Sequence, residues 1–301
     1  MQKAAYRKIR SSTGDKVFSW IVYGFLTLCL LAVAYPLLYV VSASFSSPSA
    51  VAMGKVWIWP VKPTLLAYKT VFGYRNIITG FRKSFAYMFA GTFLNLVFTV
   101  LSAYPLSRKE FAGRGVCTFI FALTMYVGGG IVPTYMLISK LKMLDTFWVM
   151  VVPGMVNVWH VIMCRTYFQT TLPDELYEAA QIDGCTDFGY LIRIVLPLSA
   201  PILAVLGLYT GVGIWNGYFN AMIYLSTPEK FPLQITLRSI LMLGQVNVTQ
   251  VEDAEALQNM LALSMLLKYA IIVVASVPVM CLYPFVQKFF VKGVMIGSIK
   301  G

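Results

Sequence analysis

The sequence predicts an all-α polytopic membrane protein: six transmembrane helices, with a cytoplasmic helix-turn-helix between the fourth and the fifth. Three observations predict this class. Only 12% of the 301 residues are charged and 58% are hydrophobic, whereas soluble domains carry about 25% charged residues. Mean hydropathy is +0.73. Long charge-free stretches recur at lengths that suit a bilayer, and one short loop holds a large share of the acids. The first of these excludes a soluble enzyme, a nucleic-acid-binding module and a disordered chain. The net charge of +12 therefore suits anionic lipid and loop topology, not DNA.

Stretches without Asp, Glu, Lys or Arg run over 17–54, 84–107, 115–139, 146–164, 194–228 and 269–287. Each reaches the ~19 residues that cross ~30 Å of hydrocarbon at about 1.5 Å per residue. They predict spans at about 17–43, 84–107, 115–139, 146–166, 200–226 and 268–288. A basic tail (1–16) precedes this single transmembrane domain (17–291), and a short tail (292–301) follows it. The gap at 239–251 is too short and too polar to be a span. In the third span, Gly128–Gly130 with Pro133 predict a disturbance of the helix.

The first span has a rival reading as a cleaved signal peptide. Lys3, Arg7, Lys8, Arg10 and Lys16 form a basic n-region, and Ala32-Val33-Ala34 fits a small-x-small cleavage site. The apolar run continues past that point from Tyr35 to Val41, which favours a full span. An even number of spans puts both termini on one side, and the basic N-tail assigns that side to the cytoplasm. The 24 Lys and Arg then divide thirteen inside to eleven outside, a narrow margin. Two long outer segments follow, at 45–83 with Trp57 and Trp59, and at 227–267, where Leu257–Leu267 reads as a short helix outside or dipping into the membrane. The five cysteines are an odd number with no Cys-x-x-Cys pair, which predicts small buried hydrophobes and no metal site or disulfide framework.

The loop between the fourth and fifth spans (172–198) is the most informative stretch. Asp174, Glu175, Glu178, Asp183 and Asp187, five of the twelve acids, lie here. Pro173 followed by Asp174 and Glu175 predicts a helix start, with acids favoured by the dipole. Gly184 predicts its end and a sharp turn. Phe188, Leu191, Ile192 and Val195 then recur at helical spacing until Pro197 and Pro201. A helix-turn-helix with an apolar face and an acidic rim calls for a partner protein.

These residues also carry a resemblance. Glu178-Ala179-Ala180, three residues, Gly184, nine residues, then Ile194-x-Leu196-Pro197 resembles the EAA motif of the membrane subunits of ATP-binding-cassette importers. Trp215-Asn216-x-Tyr218-Phe219, Leu225-Ser226-x-Pro228 and Phe231-Pro232-Leu233-Gln234 resemble the fifth-span region of maltose-type sugar permeases. Tyr126–Pro133 and the C-terminal tail are similar to the LplC/YtcP-like branch of oligosaccharide permeases. The resemblance implies a heterodimer with a second permease, an ATPase dimer, an extracellular solute-binding protein and an oligosaccharide substrate. It implies that Glu178, Ala179, Ala180, Asp183, Gly184, Ile194, Leu196 and Pro197 couple to the ATPase. Lys292, Gly293, Lys300 and Gly301 would reach the same partner. The chain has no Gly-x4-Gly-Lys-[Ser/Thr], so ATP and Mg belong on the partner and no cofactor or catalysis on this chain.

Polar groups in mid-membrane are costly and are functional candidates by default. Asn95, Asn157, His160, Asn216 and Asn220 are those groups. Trp215, Asn216, Tyr218 and Phe219 can form a sugar-binding wall of rings and amides, with Asn95 on the path; interhelical packing is the alternative for Asn216, as for His160, the only histidine. Gln245, Asn247 and Gln250, in a loop freed by Gly244, read either as sugar-competing groups facing the binding protein or as an amphipathic surface helix. Other readings of the whole chain are an importer permease for a non-sugar solute and, further off, a secondary transporter. A secondary transporter needs no acidic helix-turn-helix. An intramembrane enzyme lacks any visible carrier of chemistry.

Overall fold

The structure is a computed structural model that describes residues 12–248 and 254–298. Among them every regular element is helical. The chain divides into two compact units: residues up to Thr70 with Gly244–Val273, and Val71–Leu243 with the residues from Val274 on.

In the first unit, α1 (Thr13–Ser44) opens on a capping box: Ser12 Oγ accepts from a backbone N–H and the Asp15 carboxylate accepts from Ser12 N. Its apolar side chains face outward along most of its length, as a helix meant for lipid or another subunit requires. Only its end is buried, at Ser42, Ala43 and Ser44. There the hydroxyls do the fastening. Ser42 donates to the Ile58 carbonyl, Ser44 pairs with the Tyr68 hydroxyl, and Ser46 accepts from Val61 N. A short helix, α2 (Pro48–Ala52), and α3 (Leu66–Gly73) flank this cap. Trp57 and Trp59 are exposed beside it.

The second unit is built on α4 (Ile77–Ser107), which starts seven residues before the charge-free stretch because Arg82 and Lys83 sit in its first turns. The predicted third span is two helices, α5 (Arg114–Tyr126) and α6 (Ile131–Lys140), related by a 112° turn. Gly130 at φ +80° makes that turn, in a backbone region that favours glycine. The glycine run therefore turns the chain through more than a right angle. At 13 residues α5 is about 20 Å long, short of a bilayer.

The predicted fourth span, 146–166, is also not one helix. A 3-10 turn (Trp148–Met150) leads to irregular backbone around Pro153 and Gly154, and α7 (Val158–Thr171) begins only at an N-cap on Asn157. Then come α8 (Asp174–Ile182), α9 (Asp187–Tyr190), a π-helical turn (Leu191–Val195), α10 (Leu196–Leu198), α11 (Ala200–Asn216) and α12 (Phe219–Tyr224). The predicted fifth span thus breaks at Gly217. The segment Asp187–Leu198 meets α11 at 77°.

α13 (Leu233–Val248) and α14 (Ala254–Ser298) complete the chain. The stretch Leu257–Leu267, expected as a separate short helix, is the first part of α14. No Gly or Pro interrupts the chain from Leu257 to Val277, and the helix then runs on through Pro278, so the apolar run from Met260 to Leu282 lies within one helix. Among the described residues, three helices are long and apolar enough to cross a membrane, or up to five if each bent pair is one span.

Close approach holds the second unit together. A Cβ on Gly80 would lie 3.2 Å from Leu233 Cα, and one on Gly91 would lie 2.6 Å from Ile214 Cδ1. Small residues let helices approach in this way where lipid supplies no hydrophobic drive. Ser84 accepts from Leu233 N at 2.8 Å. At one end, Asp145 adopts φ +54° and its carboxylate accepts from Ser226 N, Thr227 N, Thr227 Oγ1 and Lys230 Nζ. Lys230 and these hydrogen bonds hold its carboxyl well below the usual carboxylate range.

Candidate functional site

Two sites follow from this scaffold, an outward-facing helix pair and a polar cleft. The helix pair begins at Pro173, whose extended backbone precedes α8. Asp174 in the first turn is paired with Lys109 at 2.7 Å, which lowers the pKa of the acid and raises that of the lysine. Gly184 N donates to Gln181 O and Cys185 N to Ala180 O, the two bonds of a Schellman ending. Gly184 holds the left-handed position that this ending requires, φ +72°. Nothing lies within 4 Å of a Cβ built there, so handedness, not crowding, demands glycine. Thr186 then caps α9 by accepting from Gly189 N.

The EAA-like motif splits into two sets. Ala180, Tyr190, Leu191 and Val195 are buried in one core with Val161, Cys164 and Phe168 of α7 and Leu206 of α11, and Ile194 and Leu196 pack against it. Glu178, Ala179, Asp183, Gly184 and Pro197 are exposed. Ile182 at the end of α8 is 87% exposed, and Phe188 and Ile192 are exposed with it. One set anchors the loop to the membrane helices. The other leaves an apolar face with an acidic rim open.

Sequence reasoning missed the clamp beneath this loop. Arg108, just past α4, lies over three tyrosine rings: Tyr177 at 4.2 Å, Tyr190 at 4.9 Å and Tyr104 at 5.1 Å. Each such contact contributes about 0.5–1 kcal/mol when exposed, and up to about 2 when desolvated. Tyr177 and Tyr190 also meet edge to face. The Tyr177 hydroxyl donates to Asp187 Oδ1 at 2.7 Å, which pushes the phenol up to about 12 and keeps it a donor at neutral pH. Arg165 donates from Nε to Leu106 O. The four-residue spacing of Tyr104 and Arg108 is a readable signal. The other two tyrosines come from 69 and 82 residues further on, beyond any local pattern.

The residues expected on a substrate path separate in the same way. Trp215 is 1% exposed, packs on Phe81 and Phe85, and donates from Nε1 to Ala275 O at 2.9 Å. It is a packing residue with no face left for a ligand. Asn95 is buried, and its Nδ2 donates to Gly154 O at 3.2 Å and Met155 O at 3.4 Å. It serves carbonyls that the irregular backbone at 151–157 leaves without helical partners. Asn157 caps α7 by accepting from His160 N. Asn216, Tyr218, Phe219 and Asn220 are exposed, with Arg238 over one face of Tyr218.

A cleft of about 240 Å³ lies between α4, α7 and α11, lined by Asn157, His160, Tyr209, Thr210 and Gly213 among others. Gln245 and Asn247 stand on α13, whose helix extends through Val248, and not in a loop. Lys292 and Gly293 stand on α14. Gln250, Lys300 and Gly301 lie outside the described residues.

Residues 4–296 match the family described as the binding-protein-dependent transport system inner membrane component. Protein LplC of Bacillus subtilis (strain 168) is 38% identical over 88% of this chain and 89% of its own. The polygalacturonan/rhamnogalacturonan transport system permease protein YtcP of the same organism is 35% identical over 95% and 99%. The crystal structure of a bacterial ABC transporter involved in the import of the acidic polysaccharide alginate contains a chain that matches 94% of this one over 100% of its own length, with a TM-score of 0.82 at 32% identity. The sharp turn at Gly130, the Schellman turn at Gly184 and the buried half of the EAA-like motif therefore belong to a member of the binding-protein-dependent transport system inner membrane component family.

Proposed function

We propose that this chain is a permease subunit of an importer that moves an oligosaccharide into the bacterial cytoplasm, driven by a separate ATPase docked on the loop at 172–198. The observation that carries this reading is the split of the EAA-like motif. An apolar, acid-rimmed face of Ala179, Ile182 and Phe188 stays open, while its buried half and the Arg108 clamp fix its position. Such a face gains stability only when a partner covers it. On this reading both termini and the loop are cytoplasmic. The pair α5–α6 and the broken segment 146–171 count as the third and fourth of six passages. ATP and Mg stay on the ATPase; a second permease covers the outward faces of the helices, and a solute-binding protein delivers the substrate. The oligosaccharide class is supported by what YtcP is named for, by the alginate importer's likeness, and by a cleft with amides, hydroxyls and a ring but no acid.

The test is uptake by the reassembled complex in proteoliposomes, offered labelled galacturonan, rhamnogalacturonan, arabinan and malto-oligosaccharides. Uptake of at least one, dependent on ATP and binding protein, is the expected result. Uptake of none, or uptake that persists without the ATPase, overturns the reading. Ile182→Asp should abolish co-purification of the ATPase while the chain stays in the membrane.

A further inference from the structure

We infer that His160 reads a sugar hydroxyl: its Nε2 accepts a hydrogen bond from the saccharide in the cleft between α4, α7 and α11. This rests on the oligosaccharide reading and gives it a residue and a bond.

The proton on the imidazole is located by its neighbours. Both N–H groups of the Asn95 amide are taken by the carbonyls of Gly154 and Met155, at 3.2 and 3.4 Å. Carbonyls only accept, so the amide cannot be turned over, and Asn95 Oδ1 is the atom that faces His160 Nδ1 at 3.0 Å. An amide oxygen only accepts too. The proton must therefore sit on His160 Nδ1. Thr210 Oγ1 lies 2.9 Å from the same Oδ1, 2.9 Å from Leu206 O and 3.4 Å from His160 Nδ1; its one proton serves Oδ1 or Leu206 O, and its lone pair can accept from Nδ1–H, which agrees with the assignment.

A neutral imidazole with Nδ1–H carries a bare lone pair on Nε2. Among the described residues no hydrogen bond reaches that nitrogen, although the residue is only 7% exposed. His160 lines the cleft, and no acid or other base lines it. A bare Nε2 there takes a hydrogen-bond donor, such as a sugar hydroxyl. The remaining lining fits a sugar unit. Tyr209 is an exposed ring on which an apolar sugar face can lie, Asn157 presents an amide, and Gly213 leaves the wall open. Asn216 lies seven residues beyond Tyr209, on the same face of α11. At about 240 Å³ the cleft is smaller than the ~300–1,000 Å³ of a complete small-molecule site, which suits one unit of a longer chain in transit.

The chain's only histidine makes the test direct. The complex is labelled with 15N-histidine in nanodiscs, and His160→Gln in this chain supplies the difference spectrum that isolates the His160 ring. The proposal expects a protonated Nδ1 and an unprotonated Nε2, whose resonance moves when an oligosaccharide from the uptake panel that the complex transports is added. In uptake, His160→Leu should raise KM roughly two- to tenfold, the worth of one hydrogen bond. His160→Gln should recover most of it, since its amide N–H can serve Asn95 while its oxygen accepts from the sugar. A protonated Nε2, an Nε2 resonance unmoved by a saccharide that is transported, or an unchanged KM in His160→Leu overturns the inference and leaves the oligosaccharide reading standing. If wild type takes up no saccharide, the reading fails first and the inference with it.

Discussion

Arg108 is the residue whose loss should separate folding from coupling. Its planar guanidinium lies over three tyrosine rings, a placement a compact lysine ammonium does not reproduce. Arg108→Ala should loosen the loop by about 2–3 kcal/mol, counting three partly desolvated contacts. The measurement is hydrogen exchange at 174–190 with ATPase co-purification alongside; faster exchange and weaker capture are expected, with Arg108→Lys between alanine and wild type. Gly184→Ala should cost about 1–2 kcal/mol for placing a side chain at φ +72°, read as a lower temperature of loop opening in the same experiment.

Asp145 gives a pH signature. Its folded pKa lies below the value of about 3.9 for an unfolded aspartate. Its contribution is therefore fully present above about pH 4 and is lost as pH falls toward the folded pKa. Melting of the detergent-solubilised protein should show Asp145→Asn less stable than wild type at pH 7, with the gap shrinking below pH 4. A gap that grows on acidification would contradict the anchor. The Leu225-Ser226-x-Pro228 motif, read from sequence beside a sugar wall, takes part in this anchor through Ser226 N and the adjacent Thr227.

At the scale of elements, the helix starts and stops that depend on neighbours in sequence were legible. Pro173 before α8, Gly184 after it, and the glycine run before Ile131 all fall where local chemistry puts them. What could not be read is where a charge-free stretch stops being one helix. Hydropathy records that residues 146–164 avoid charge, and a broken segment whose carbonyls are served by Asn95 avoids charge equally well. For the same reason Trp215 looked like a wall of the path: its apolar ring gives no hint that Ala275 takes its N–H. Gly80→Val should destabilise the second unit, because the added carbons meet Leu233 backbone and not the yielding end of a side chain. Gly91→Ala meets only the tip of Ile214 and should be tolerated far better, as expression level and melting temperature of the two variants would record.

At the scale of the whole molecule, the six-passage arrangement can be tested with single cysteines on a cysteine-free background. An impermeant thiol reagent applied to intact cells should label position 57 and spare position 187. Labelling of 187 from outside would overturn the proposed orientation.

The break at 151–157 also bears on how the chain enters the bilayer during synthesis. A 14-residue α7 is about 21 Å long, too short to partition into lipid as an independent stopper. The peptide carbonyls of Gly154 and Met155 find their donors on α4, which emerges from the ribosome some sixty residues earlier. If residues 146–171 form the proposed fourth passage, α4 is expected to be in the membrane when they arrive, so that this half of the protein integrates as a group and not one helix at a time. Asn95→Leu withdraws those donors. An interhelical side-chain bond in a membrane averages about 0.6 kcal/mol, and here two carbonyls lose their donor at once. The variant's defect should therefore appear as degraded or misinserted nascent chains in a pulse-chase, before any transport is measured.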